Sequence, residues 1–321
     1  MHLVRRIDDF PYTLVEKGSV LTIGSFDGLH LGHQYLLKRV LDESKASGLP
    51  SVVMSFEPTP GEFFSHKTPP SRLMRFREKY EALKEGGINI FFCPRFDQGM
   101  QNIQVDDFIR ILLIQKLNIK YLVIGDDFRF ARNREGSFDH LNRAQGILQF
   151  KLQKMPSIVK NEERISSTLI RNALYSGDLD KATNLLGKPY RMSGRIVIGE
   201  KLGRSLGYPT ANVNIQRLQS AIMGIFAVRV HGLTAEPLEA VASLGTRPTF
   251  YDGEKPLLEV HIFDFNEDIY GKYIHVDFIS KIRDEKKFDN AQDLIIQMNN
   301  DATKARKILL NEKQKKELKE C

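Results

Sequence analysis

The chain has 321 residues, 41% of them hydrophobic and 27% charged, the composition of an ordinary soluble globular protein at a length that favours two domains. No apolar run reaches the ~18–20 residues of a membrane span. The N-terminal MHLVRRIDDFPYTLVEKG lacks the apolar core of a signal peptide, and two cysteines, Cys93 and Cys321, exclude a disulfide framework. The net charge is +7, and the last twenty residues alone carry seven Lys/Arg against three Glu, a local excess expected of a solvated terminal helix rather than of a specific nucleic-acid site.

Residues 19–160 alternate short apolar stretches with amphipathic ones. SVLTIGSF, SVVMSFE, INIFFCPRF, YLVIGDDF and FKLQKMPSIV read as strands with little polar alternation, as when both faces of a sheet are covered. Cys93, inside the third, is expected as a small buried side chain. Between the strands, GHQYLLKRVLDESKASG, RFREKYEALKEGG and VDDFIRILLIQKL space their apolar residues three to four apart. Leu36 with Val40 and Leu37 with Leu41 form one stripe. Gly48 and the pair Gly86-Gly87 are expected helix stops. Alternating β and α units predict a mostly parallel, doubly wound sheet. SSTLIRNALYSGDLDKATNLLGKPY then reads as two short helices broken at Ser176-Gly177-Asp178. After Pro189 the pattern changes. GRIVIGE, IFAVRVHG, LEAVASLG, LLEVHIFDF and YIHVDFIS are short strands between Gly, Pro and Asp turns, the signature of a small antiparallel barrel. AQDLIIQMNNDATKARKILL returns to helix. The expected division is therefore 1–187 and 188–321, with residues 302–321 a dispensable tail.

Within IGSFDGLHLGHQYLL, His30 and His33 stand three apart where a strand turns through glycines into a helix. At that spacing both rings can face one way. A strand end, a glycine turn and a helix start together form an anion site, because free N–H groups and the positive helix end point at the ligand. Gly24 and Gly28 let the backbone approach without a Cβ in the way. Imidazole N–H donors added there suit a nucleoside triphosphate, whose leaving pyrophosphate gains charge during attack at the α-phosphorus. Both histidines can equally be structural. A zinc site needs a third ligand that nothing nearby supplies, and no Walker A loop occurs.

GSFDGLHLGH resembles the signature of the HxGH nucleotidyltransferases. Ile165-Ser166-Ser167-Thr168-Leu169-Ile170-Arg171 resembles the ISSTxIR motif of the adenylyltransferases among them, in place of the KMSKS loop of the synthetases. The resemblance implies a Rossmann-like α/β domain in which Gly24, Phe26, Asp27, Gly28, His30, His33, Ser166, Ser167, Thr168 and Arg171 bind ATP. The hydroxyls also suit a helix start, and by the same resemblance Arg171 sits where a guanidinium can clamp the β- and γ-phosphates. Ser55-Phe56-Glu57-Pro58-Thr59-Pro60 and Gly125-Asp126-Asp127-Phe128-Arg129-Phe130 fall at strand carboxyl ends, where open α/β sheets bind ligands. They resemble segments of the bacterial FAD synthetase family that hold the flavin. By that likeness Phe56, Pro58, Asp127 and Arg129 line the flavin side. Phe128 and Phe130 read equally well as core anchors. The family usually has Gly where this chain has Ala131.

In GRIVIGEKLGRSLGYPTAN, glycines including Gly203 make a loop whose N–H groups can approach phosphates. Thr210 and Asn212 project to one side of an extended segment and present the neutral oxygens that Mg²⁺ accepts alongside ATP phosphates and water. Glu259, in LLEVHI, shares a strand face with His261, opposite Leu258, Val260 and Ile262. A carboxylate there can accept a hydroxyl proton during attack on a γ-phosphorus, although a lone strand glutamate is more commonly a surface or ion-pair residue. GRIVIGEKLGRSLGYPTAN, SLGTRPTF, LLEVHIFDFNEDIYG and FISKIRDEKKF together resemble, in order, a riboflavin kinase domain. The resemblance implies that Thr210 and Asn212 bind Mg–ATP, that Glu259 is the base, and that Arg283 lies near the flavin product. Ser243 stands where many members have Asn, and Phe226 where Tyr is commoner. The whole chain thus resembles the bacterial bifunctional riboflavin kinase/FMN adenylyltransferases, which implies riboflavin, FMN and ATP as substrates and Mg²⁺ as cofactor. A cytoplasmic monomer or weak oligomer is expected, with no membrane partner.

Overall fold

A computed structural model describes residues 1–65, 69–160, 162–199, 208–249 and 253–320. The chain forms two compact units, Met1–Pro70 with Met74–Ser166, and Ser71–Leu73 with Ser167–Cys321.

The first unit is built on six parallel strands: β1 (His2–Val4), β2 (Ser19–Ile23), β3 (Ser51–Met54), β4 (Ile90–Phe92), β5 (Ile119–Gly125) and β6 (Lys151–Met155). Their order is β1-β4-β3-β2-β5-β6. Every residue of β2, β3 and β4 is buried, which explains their lack of alternation: helices cover both faces. Cys93, just past β4, is fully buried and not in a disulfide. β1 was not legible in the N-terminal sequence; it lies at the sheet edge, in register with β4. β6 is the opposite edge and buries only Met155, so it lacks the apolar continuity of the inner strands.

Helix α1 (Leu31–Ser47) buries Leu36 and Val40 and ends at Gly48 in the left-handed region (φ 68°). α2 (Pro60–Phe64) starts on a Thr59–Glu62 capping box, and α3 (Phe76–Glu85) ends at Gly86. α4 (Gln98–Asn102) precedes the short α5 (Val105–Asp107), which continues as a π-helix over Phe108–Lys116. Its buried residues, Phe108, Ile109, Leu112 and Leu113, suit a 4.4-residue turn as well as a 3.6-residue one, so the sequence pattern could not separate them. α6 (Phe138–Leu148) precedes β6. A hairpin of β7 (Val159–Lys160) and β8 (Glu163–Arg164) closes the unit.

The second unit starts with α7 (Ser167–Tyr175) and α8 (Leu179–Leu186), separated by Gly177 at φ 79°. α8 buries Leu179, Ala182, Leu185 and Leu186 and packs on the strands of the barrel. Compact packing groups both helices with the barrel strands. Six antiparallel strands close the barrel: β9 (Tyr190–Val197), β10 (Ala211–Asn214), β11 (Gly224–His231), β12 (Leu238–Thr249), β13 (Gly253–Ile262) and β14 (Tyr273–Arg283), in the order β10-β13-β12-β11-β14-β9. Phe226, Val228, Leu258, Val260, Val276 and Phe278 fill it.

α9 (Ala291–Glu320) corrects the expectation of a dispensable tail. Ala305 and Leu309 are fully buried in an apolar cluster with Ala227 and Phe263, flanked by Ala302 and Ile308. Lys304, Arg306, Lys307, Lys313 and Lys315 are exposed on a helix whose apolar side is part of the fold.

Candidate active sites

In the first unit the chain leaves β2 toward β3 and β4 on one side, and later returns to place β5 on the other. The carboxyl ends of β2 and β5 therefore flank the point where strand order reverses, the usual ligand crevice of such sheets. Residues 24–30 follow β2 and residues 126–130 follow β5. The two sequence motifs meet there because of topology alone.

The turn after β2 is unusual in its backbone. Phe26, Gly28 and Leu29 have φ of 50°, 86° and 44°, conformations that cost L-residues energy and persist only where surroundings hold them. Phe26 and Leu29 are buried in the core cluster, so Phe26 offers a ligand its backbone rather than its ring. Asp27 accepts a 2.9 Å hydrogen bond from the Met74 N–H. At Gly24 an added Cβ would lie 3.2 Å from the Phe26 ring.

His30 caps α1, its Nδ1 accepting from the His33 N–H at 3.3 Å. The two rings stack with centroids 3.7 Å apart and planes at 17°, and Phe26 stands 5.1 Å from His33. Burial pushes the His30 pKa down to about 4, against the opposing pull of Asp27. His33 is also held well below 6.5, by burial and then by the neighbouring His30 and Lys79. Both imidazoles are therefore neutral at pH 7. Because His30 Nδ1 is an acceptor, its proton must sit on Nε2, leaving an N–H donor. His33 Nδ1 is buried without a hydrogen-bond partner among the described residues.

Asp127 pairs with Arg164 of β8 at 2.6 Å, and Arg164 also lies 3.6 Å from Asp126. Asp126 is itself held by the N–H and hydroxyl of Ser157. Arg164 and Asp127 both act on the charge state of His30. Sequence reasoning missed Arg164, although it stands only two residues before Ser166. Arg129 is exposed. Phe130 is a core residue packed on Phe108 at 4.8 Å, with half-buried Phe128 stacked on it at 5.6 Å. Ala131 has φ 62° and ψ −174°, a region that suits glycine, which gives a physical reason for the glycine usual there. After β3, Phe56 joins Phe63, Phe64 and Phe96 in an edge-to-face cluster with centroids 5.2–5.8 Å apart. Pro58 is half-buried beside it.

In the second unit, Ser167 opens α7 with Thr168 exposed beside it, while Ser166 ends the first unit. The Arg171 Nε donates to the Ser71 carbonyl at 2.7 Å. Asn212 and Ser243 both stand opposite Glu259 in the barrel register. Leu258 and Val260 point into the barrel, so Asn212, Glu259 and Ser243 form a row on its outer face. Thr210, half-buried, immediately precedes β10. A Cβ on Gly199 would lie 2.2 Å from the Asn212 amide, so only glycine lets the chain pass there. Gly203 lies outside the described residues. Glu285 approaches Glu259: burial, and then the Glu259 charge, raise its pKa against the pull of Arg283. Its carboxylate packs on Gly245. Arg283 is clamped by Asp301 of α9 through Nε at 3.0 Å and Nη2 at 2.7 Å. No cluster of three or more His, Cys, Asp or Glu able to hold a metal occurs among the described residues. The neutral oxygens of Thr210 and Asn212 fit instead an ion that arrives with the charge of a triphosphate.

A switch-point turn with paired histidines, followed by a closed barrel carrying an Asn–Glu row, defines a two-domain transferase. The FAD synthetase family model matches residues 13–169, and the riboflavin kinase model matches residues 186–309. A bifunctional riboflavin kinase/FMN adenylyltransferase of Haemophilus influenzae is 42% identical over 306 residues, covering 95% of this chain and 98% of the relative. One from Pseudomonas fluorescens is 38% identical over 290 residues, 90% and 93% of the two chains. A crystal structure described as a macrolide-efflux protein from Streptococcus pneumoniae superposes with a TM-score of 0.79 at 29% identity, covering 95% and 98%. The chain belongs to the family of bifunctional riboflavin kinase/FMN adenylyltransferases. Among the described residues no helix is long and apolar enough to cross a membrane.

Proposed function

We propose that the two transfers of this family are performed here by two separate residue sets. The kinase step belongs to residues 188–321 and the adenylyl step to residues 1–187. In the first, the riboflavin 5′-hydroxyl attacks the γ-phosphorus of ATP while Glu259 takes its proton, giving FMN and ADP. Thr210 and Asn212 would hold Mg²⁺, which when bound screens the phosphate charge and orients it. Arg283 and Gly203 serve the flavin and phosphate ends. In the second, an FMN phosphate oxygen attacks the α-phosphorus of ATP and pyrophosphate leaves, giving FAD. His30 and His33 donate as neutral imidazoles to the charge that develops, and the N–H groups of the Gly24–Gly28 turn do the same. Ser166, Ser167, Thr168 and Arg171 take the β- and γ-phosphates. Phe56, Pro58, Asp127 and Arg129 receive the flavin.

The observation that carries this reading is the stacked histidine pair at the switch point, with His30 Nδ1 committed to the helix cap and Nε2–H left to donate. The catalytic cycle is proposed for the cytoplasm, in keeping with a buried Cys93 that forms no disulfide, and for a monomer or weak oligomer without a nucleic-acid partner. The test is chromatography of riboflavin incubated with Mg–ATP and enzyme. His30→Ala should accumulate FMN without FAD, whereas Glu259→Ala should make no FMN yet convert supplied FMN to FAD. Loss of FMN formation in His30→Ala, or of FAD formation from supplied FMN in Glu259→Ala, would refute the division of labour.

A further inference from the structure

Lysine is almost never fully buried unless its ammonium has partners that hold it. Lys79, in the first turn of α3, is 3% exposed. Its Nζ donates to the Ser25 carbonyl at 2.5 Å and reaches the Ser55 hydroxyl at 3.5 Å. The Ser55 Oγ in turn bonds the same Ser25 carbonyl at 3.4 Å. Ser25 opens the turn in which Phe26, Gly28 and Leu29 adopt positive φ. A second tether, Asp27 to the Met74 N–H, reaches the same turn from the residues just ahead of α3. α3 is packed on the sheet, with Leu83 buried and Phe76 stacked on Phe91 at 5.7 Å, and its N-terminus is closed by Glu78, which accepts from the Arg75 N–H at 2.7 Å. The strained turn is thus held from outside by one rigid element.

We propose that Lys79 is a positioning residue for adenylyl transfer, its ammonium fixing the Ser25 carbonyl and through it the turn that presents His30 and His33. The inference rests on the assignment of that turn to FMN adenylylation. Two consequences are physical. A charge-assisted hydrogen bond to a carbonyl is about twice as strong as a neutral one, so it suits a turn that must hold several left-handed residues. A buried cation beside the imidazoles also adds positive potential beneath an anion site, and it opposes protonation of His33. The other charged groups around the pair are Asp27 in the same turn, Asp127 after β5 and Arg164 of β8.

The experiment uses the full-length Lys79→Met enzyme beside His30→Ala, following FAD formation from FMN and Mg–ATP from about pH 3.5 to 9, a range that includes the acid limb of the wild-type enzyme. Riboflavin phosphorylation and thermal unfolding are followed on the same preparations. For Lys79→Met the kcat of FAD formation should fall on the order of a hundredfold, the scale of losing one preorganised electrostatic contact. KM for FMN should change less than about threefold, and the kinase should keep its rate, as expected for an interaction felt in the transition state. Removing the cation lets His33 bind a proton at higher pH, so the acid limb of kcat should move upward. A kcat within threefold of wild type, or a loss with the acid limb in place, would reduce Lys79 to a core lysine. Should Lys79→Met not fold, Lys79→Gln decides by the same limb, since it keeps a donor and removes the charge. If His30→Ala itself retains FAD formation, the assignment of the turn fails; if His30→Ala is inactive and Lys79→Met is not, only the role of Lys79 fails.

Discussion

Replacing Asp301 by alanine tests the claim that the C-terminal helix is a working part of the barrel. Asp301 is 3% exposed and receives three hydrogen bonds from the Arg283 guanidinium to its two oxygens, with a fourth from Gln297 at 2.9 Å. Breaking a buried pair by removing one partner costs about 3–5 kcal/mol, because the remaining charge is left uncompensated. The Arg283 side chain is 21% exposed, so water recovers part of that loss. A destabilisation of about 2–3 kcal/mol is expected. Arg283 can then leave its clamped orientation. On its proposed role beside the flavin, KM for riboflavin should rise about tenfold, equivalent to ~1.4 kcal/mol. Urea unfolding gives the first quantity and initial rates of FMN formation give the second. A stability loss under about 1 kcal/mol would show that the pair is effectively a surface one. An unchanged KM, in a background where Arg283→Ala raises it, would show that Asp301 does not orient the arginine.

Two further outcomes follow from the same packing. Leu309→Ala should cost about 2–4 kcal/mol, since it leaves a void in a fully buried cluster. Removing residues 302–321 should accordingly unfold the barrel and abolish FMN formation, read by thermal denaturation and kinase assay. Gly199→Ala places a methyl 2.2 Å from the Asn212 amide. Displacing that side chain by about an ångström should slow riboflavin phosphorylation roughly a hundredfold while leaving conversion of supplied FMN to FAD unchanged.

The amino-acid order by itself determined the parts of this protein that depend on neighbours along the chain. Apolar runs without alternation marked the buried strands, and glycines marked the helix stops. The i, i+3 histidines marked a turn into a helix, since backbone geometry over a few residues is set by local sterics and hydrogen bonding. The same locality made PTAN and the EVH strand legible, because alternation alone puts Thr210 with Asn212 and Glu259 with His261.

Only the tertiary structure decided which distant residues serve those motifs. Lys79 looks like any helix lysine until α3 docks and buries it against Ser25. Arg164 looks like a hairpin charge until it meets Asp127. Asp301 looks like one more polar residue of a basic helix until it closes on Arg283. The terminal helix itself read as a solvated tail because its charges outnumber the residues that anchor it. Charge is counted along the sequence, but burial is fixed by what the folded chain brings opposite, and the cluster of Ala227 and Phe263 that receives Leu309 lies far from it in the chain.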